Sequence, residues 1–267
     1  MNKILSDFFL IVNYITMEKF EMDRRVVGGS YVDEENKYPF MATIWHLEGI
    51  HRFKCGAVFI GKKYFLTAAH CLRNKIARNI TIKMGSNSLL EFNLVLQVVR
   101  IMVYEGYVDK TLENDIAILE VERDVTEYDP VRLPCDHLRN FCYNFGHFVK
   151  VLGFGKDSER SSVLHLWDLK EVELKIVPLE ESRYHMNTIT KDMFLAVNRI
   201  NGKFVDACTG DSGGPCLKLI GGSWVLVGIV SWGRGCGRDG YPGVYTKVLL
   251  FHDWIRRVCG FGLCKNH

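Results

Sequence analysis

No apolar run in this chain approaches the roughly 18 residues that a membrane-spanning helix requires, so no membrane partner is expected and the mature protein should be soluble. No two cysteines are separated by only two residues, which removes the spacing of a zinc ribbon and of a thiol redox motif. Basic residues are scattered rather than gathered into a stripe interleaved with aromatics, so no nucleic-acid partner is expected. The net charge of +3 names no partner either. Low-complexity tracts and quotable internal repeats are missing, and so are the long helical segments between strands that an α/β fold needs.

What remains is a chain of 267 residues with 48% apolar side chains, enough for a sizeable core and incompatible with disorder. Past about residue 26 it reads as short apolar or alternating runs divided by Gly- and Asn-containing turns, among them Ala57–Ile60, Leu94–Val103, Val149–Leu152, Val225–Ser231 and Val244–Val248. That pattern is all-β and suits two packed barrels or a sandwich. The end of the chain differs, because Leu250, Trp254 and Val258 recur at helical spacing beside Arg256 and Arg257. Nine cysteines point to an oxidising compartment, and their odd number requires a thiol that is free or bridged to another molecule. At the start, Lys3 precedes an apolar stretch from Ile4 to Ile15, interrupted by Asp7 and Asn13, that reads as a poor or truncated signal peptide.

Three short segments carry the chemistry. Gly210-Asp211-Ser212-Gly213-Gly214-Pro215 holds a serine among glycines, where the backbone can turn tightly and offer N–H groups to a carbonyl. Thr67-Ala68-Ala69-His70-Cys71 and Asn114-Asp115-Ile116-Ala117 supply an imidazole and a carboxylate. Each alone is unremarkable: a Gly-rich turn is a common loop, and a lone His or Asp is usually a surface or strand-edge residue. Together, in the order His, Asp, Ser, they resemble the chymotrypsin/trypsin family of serine peptidases, and the likeness runs from Arg25 to about Val258.

The resemblance implies two packed antiparallel six-stranded β-barrels with a C-terminal α-helix. It divides the chain into a leader and activation propeptide (1–25) and a peptidase domain (26–267). The first barrel is expected at about 38–125, the second at about 131–249 and the helix at about 250–258. It makes Ser212 the nucleophile, His70 the general base and then acid, Asp115 the group that fixes the imidazole tautomer, and the N–H groups of Gly210 and Ser212 an oxyanion hole. Arg24-Arg25-Val26-Val27-Gly28-Gly29 is similar to the family's activation junction. Cleavage after Arg25 would free an ammonium at Val26, which the resemblance places beside Asp211. Asp206 aligns with the floor of the primary pocket, where a carboxylate selects Arg or Lys. Ser231, Trp232, Gly233 and Gly243 would form the pocket walls, and Ala207 lacks a hydroxyl that many relatives carry, which favours Arg over Lys.

Among the cysteines, the resemblance pairs Cys55 with Cys71 and Cys208 with Cys236. Ser182 and Leu195 stand where most relatives bridge two cysteines, which is expected to loosen the loop near the pocket, and Val149 and Cys216 also depart from the usual pattern. Cys135, Cys142, Cys259 and Cys264 are expected to form one or two bridges between the 135–142 loop and the C-terminus, with Cys216 as the odd, buried thiol. Several relatives bind calcium in a loop here represented by Met84 to Phe92, but Glu91 is its one hard acidic ligand, so neither metal nor cofactor is expected. Asn79-Ile80-Thr81 is a glycosylation sequon whose occupancy stays open. The implied protein is a secreted, extracellular, monomeric zymogen. Its partners would be polypeptides with Arg or Lys at the cut site, an activating trypsin-like protease and protein protease inhibitors. The rival readings are a catalytically silent homologue that binds a partner, and a peptidase whose pocket entrance is reshaped by Leu195 and Val197.

Overall fold

Side-chain alternation closes the sheets of this protein onto themselves. Along one strand Ile80, Ile82 and Met84 are buried while Thr81 and Lys83 are not, and along another Val172, Leu174 and Ile176 point inward between half-exposed Glu171 and exposed Glu173 and Lys175. The computed structural model describes residues 29–48, 50–156 and 168–260. Its strands are β1 (Ser30–Tyr31), β2 (Met41–Glu48), β3 (Ile50–Gly61), β4 (Tyr64–Thr67), β5 (Ile80–Met84), β6 (Leu94–Val103) and β7 (Ala117–Val121). A short helix, α1 (Arg139–Cys142), leads to β8 (Phe148–Gly153), β9 (Lys170–Val177), β10 (Met193–Ile200), β11 (Lys203–Val205), β12 (Pro215–Ile220), β13 (Ser223–Trp232) and β14 (Gly243–Lys247). The chain then enters α2 (His252–Cys259).

Six strands in the order β2-β3-β4-β7-β6-β5 form the first closed antiparallel barrel. The second runs β9-β8-β12-β13-β14-β10 and closes through β9–β10 pairing at Leu195↔Val177, with β1 and β11 added at its margins. Phe59, Phe65, Ile82 and Ile118 fill the first core, and Val151, Leu174, Val227 and Tyr245 the second. The first core also takes in Leu152, Phe154, Leu226 and Ile229 from second-barrel segments, so the interface between barrels is apolar and continuous.

Helix α2 follows a 3-10 turn over Val248–Phe251, so the regular helix starts two residues later than the spacing of Leu250 and Trp254 implies. The tighter turn carries the chain from β14 onto the first barrel. There Tyr104 meets Phe251 at 4.9 Å and Trp254 at 5.4 Å, both edge to face. Gly260, with φ of 65°, ends the helix in the left-handed conformation that glycine adopts without strain.

The disulfides Cys55–Cys71 and Cys208–Cys236 are present, and Cys135 is also disulfide-bonded. Cys142, Cys216 and Cys259 are buried free thiols. This corrects the expectation of as many as two bridges built from the 135–142 loop and the C-terminus: Cys142 lies in the second core and Cys259 in the first, where each fills space as a small apolar side chain. Burial pushes the Cys142 thiol up to about 11 and Cys259 up to about 12. Cys264 and the leader lie outside the described residues.

Candidate active site

The catalytic candidates come from both barrels and from the turns between strands. His70 lies in a 3-10 turn (Ala69–Leu72) directly after β4, and Asp115 precedes β7, the strand that pairs with β4 at Thr67↔Ala117. This pairing brings the two segments alongside each other. The His70 backbone N–H donates to Asp115 Oδ1 at 2.9 Å, and His70 Nδ1 lies 2.7 Å from Asp115 Oδ2. Asp115 is fully buried, whereas the His70 side chain keeps 22% of its surface exposed.

Two second-barrel residues complete the carboxylate's surroundings. Ser231 Oγ donates to Asp115 Oδ2 at 2.5 Å, and Thr246 Oγ1 donates to the Asp115 backbone carbonyl at 3.0 Å. These hydrogen bonds satisfy the oxygens of a side chain that is shielded from water. An imidazole whose Nδ1–H faces a carboxylate has Nε2 free to accept a proton.

Ser212 sits in the turn between Asp211 and β12, and its backbone carbonyl accepts from Gly56 N–H at 2.8 Å, which ties the serine loop to the first barrel. The glycines around it are sterically required. Gly213 has φ of 78°, and a β-carbon there would lie 2.2 Å from Thr67 Oγ1. Ser212 and His70 line a cavity of about 490 Å³.

Asp206, 1% exposed, lines the same cavity. Its Oδ1 accepts from Ala207 N–H at 2.7 Å and from Tyr245 OH at 3.1 Å. Burial pushes the carboxyl up to about 8, and these hydrogen bonds only partly oppose it. Ala207, Ser231, Trp232, Gly233 and Gly243 all line the same cavity, together with Leu112, Thr209 and the Cys208–Cys236 bridge. At Gly243 a β-carbon would stand 2.3 Å from Asp206 Oδ1, so any larger residue would close the floor.

Asp211 is buried immediately before the serine. It accepts from Gly155 N–H at 2.7 Å and from Cys208 N–H at 2.8 Å, and it packs so closely on Gly153 that a β-carbon there would lie 1.8 Å from Oδ1. Arg25 and Val26 lie outside the described residues.

A family model described as Trypsin matches residues 26–255. The chain belongs to the trypsin family. Tissue-type plasminogen activator of Sus scrofa is 34% identical over 250 residues, covering 87% of this chain and 44% of the relative. Vitamin K-dependent protein C of Rattus norvegicus is 31% identical over 255 residues, covering 91% of this chain and 53% of the relative. This trypsin-family chain thus spans about half the length of the curated relatives it matches. Membership in the trypsin family makes it a homologue of serine proteases. Among the described residues no helix is long and apolar enough to cross a membrane.

Where many trypsin-family members carry a bridge, this chain substitutes packing. Leu195 is buried with Val177, Tyr184, Met193 and Val244, and Ser182 Oγ donates to Leu179 O at 2.8 Å while accepting from Tyr184 N–H at 3.2 Å. The loop beside the pocket is therefore packed on an apolar cluster and closed by a hydrogen-bonded turn. Lys218, two residues after Cys216, turns its ammonium inward to the Phe141 carbonyl and to His147 Nδ1, 3.1 Å away. Sequence reasoning passed over Tyr245, Thr246 and Leu112. Tyr245 had a readable signal in Gly243-Val244-Tyr245, a tyrosine two residues from a pocket wall, but its bond to Asp206 spans 39 positions. Among the described residues, the His/Cys/carboxylate group tight enough for a metal is Cys55, His70 and Cys71, whose two sulfurs are already bonded to each other.

Proposed function

We propose that this chain is the zymogen of a secreted serine endopeptidase that cuts after Arg, and less readily after Lys, once it is cleaved between Arg25 and Val26. The observation that carries the reading is one cavity lined by His70, Ser212 and the buried carboxyl of Asp206. An Arg side chain reaching the floor would meet a carboxylate that accepts a forked pair of hydrogen bonds, with no large wall residue at 233 or 243 to obstruct it. Ala207 offers no hydroxyl to a Lys ammonium, hence the preference for Arg. The relatives named above and the two disulfides support export to an oxidising compartment.

In this reading Ser212 Oγ adds to the substrate carbonyl carbon while its proton passes to His70 Nε2. The carbonyl oxygen becomes an oxyanion held by the N–H groups of Gly210 and Ser212, each donor contributing about 3 kcal/mol. Buried Asp115 stabilises the imidazolium. The C–N bond then breaks, the amine leaves with the proton from His70, and an ester on Ser212 remains. Water repeats the cycle, giving its proton to His70 and releasing the acid. Beforehand, the ammonium freed at Val26 would insert beside Asp211, whose carboxylate packs so tightly on Gly153 and Gly155 that a β-carbon at either would strike it.

The test is hydrolysis of matched Arg, Lys and Phe peptides by oxidatively refolded protein before and after trace trypsin, with Ser212→Ala as control. Arg cleavage that appears after processing and vanishes in the variant is expected. Silence on every substrate by natively folded, processed chain would turn the reading to a silent homologue that binds a partner.

A further inference from the structure

The turn that presents Asp115 to His70 is one the local sequence does not favour. Leu112 and Asn114, neither of them glycine, have φ of 57° and 56°, a left-handed region that asparagine tolerates better than leucine. Asp115 then sits at the centre of a three-residue turn, closed by the Ile116 N–H on the Asn114 carbonyl at 2.8 Å. Backbone of this kind persists where its surroundings over-determine it.

Three groups meet that need. The Asn114 side-chain amide donates to the Gly106 carbonyl at 2.8 Å, inside the first barrel. The other two come from the second barrel: Thr246 Oγ1 on the Asp115 carbonyl, and Asp192 Oδ2, which accepts from the Asn114 N–H at 2.7 Å. Backbone groups of two successive residues are thus gripped from β14 and from the residue that precedes β10. The grips are themselves joined, because Met193 pairs with Thr246 and the Lys247 N–H donates to the Asp192 carbonyl at 2.7 Å. Asp192 is 1% exposed, and its second oxygen accepts from the Thr190 hydroxyl, so the acceptor is held on both sides.

We infer that Asp192 is a positioning residue for the reaction, setting through the Asn114 N–H the direction from which Asp115 meets His70. This rests on the proposed endopeptidase reading. The Asp115 carboxyl is bonded to the His70 N–H, to His70 Nδ1 and to Ser231 Oγ, and all three contacts need one orientation of its backbone. Without Asp192 the Asn114 N–H loses its acceptor, and the left-handed residue before Asp115 loses one of the contacts that hold it. A displacement of about 1 Å between reacting groups can cost about a hundredfold in rate. The bond spans 78 positions, so no motif around Asp115 reveals it.

The test measures kcat and KM separately on an Arg anilide with the processed parent, Asp192→Ala and Asp192→Asn. Asp192→Ala should lower kcat by about a hundredfold and leave KM within about twofold, while Asp192→Asn, which keeps an acceptor oxygen, should recover most of the loss. A second readout needs no turnover: the proton resonance of His70 Nδ1–H in the Ser212→Ala background, whose position reports its bond to Asp115. It should move or vanish when Asp192→Ala is added and stay in place with Asp192→Asn. Where the parent hydrolyses the anilide, an unchanged kcat in folded Asp192→Ala protein overturns the inference, whatever happens to Tm, and leaves the catalytic reading standing. Should the processed parent hydrolyse nothing, the catalytic reading fails and the resonance alone decides, an unmoved one overturning the inference. If Asp192→Ala does not fold, Thr190→Val takes its place, since it removes the bond on the other oxygen. A kcat loss of about threefold or more with a displaced resonance is expected there, and parent values for both overturn the inference.

Discussion

Burial at the pocket floor raises the Asp206 carboxyl to about 8, so a cationic ligand must meet a group that is neutral over much of the physiological range. Binding Arg then expels a proton. The sign follows: above about 8 the carboxylate is already present, and as pH falls below that value the apparent affinity for a cation declines. Equilibrium binding of an amidinium ligand to Ser212→Ala, which removes hydrolysis from the measurement, should weaken between pH 8 and pH 6 and lose that dependence in Asp206→Asn. The same shift acts on the fold. An unfolded Asp ionises near 4, so between about 4 and about 8 the folded chain holds the extra proton and stability declines as pH rises. Asp206→Asn should therefore gain in Tm over the parent at pH 8.5 and much less at pH 5, even as it loses Arg hydrolysis by about a hundredfold or more. Equal Tm differences at the two pH values would contradict the buried-acid account. Position 206 was legible as a pocket residue through the resemblance, which its offset to Cys208 and Ser212 fits. Its protonation was not, because it depends on Tyr245, Ala207 N–H and complete burial, which only the assembled barrel supplies.

At the scale of elements, α2 connects two levels of organisation. The helix is contiguous with the second barrel yet buries Trp254 and Ile255 in the first core, with Tyr104 edge-on to Phe251 and Trp254. Trp254→Ala should destabilise by about 3–5 kcal/mol, a Tm loss on the order of 10 °C, visible in thermal unfolding of the unprocessed chain. A loss confined to a minor transition would show that the barrels unfold independently of the clasp. The strands were readable because alternation has a period of 2 that survives without tertiary information, as in Ile80, Ile82 and Met84. The helix start was misplaced by two residues because a 3-10 turn and the first turn of an α-helix share nearly the same apolar spacing. Cysteine pairing was legible only where the resemblance supplied it. Nothing in spacing reveals that Cys142 and Cys259 fill different cores, or that Leu195 and Ser182 replace a bridge with packing and a turn.

For the whole molecule, the candidate site is a property of the interface between barrels. His70 and Asp115 belong to the first, Ser212 and Asp206 to the second, and the cross-links are Ser231 to Asp115, Thr246 to Asp115 and Gly56 to Ser212. The Ser231 and Thr246 bonds to Asp115 span 116 and 131 positions, so no local motif foretold them, although the motifs around His70, Asp115 and Ser212 were plain. A site divided this way can be assembled late, by whatever fixes the Ser212 loop against the first barrel. Asp211 is the residue placed to do so, buried next to the nucleophile and bonded to Gly155 and Cys208 N–H groups. If an ammonium freed at Val26 becomes its partner, Asp211→Asn keeps the size and loses the charge. Removing one member of a buried pair costs about 3–5 kcal/mol, which corresponds to a hundredfold or greater loss of the active conformation. Processing itself should be unaffected, since in this experiment the proposed cut between Arg25 and Val26 is made by the added trypsin. N-terminal sequencing after trace trypsin should thus give Val26 equally for parent and variant, while Arg hydrolysis rises in the parent alone. Full activity in a correctly processed Asp211→Asn protein would mean that the nucleophile loop is ordered without the new terminus, and that cleavage at Arg25 does not control the enzyme.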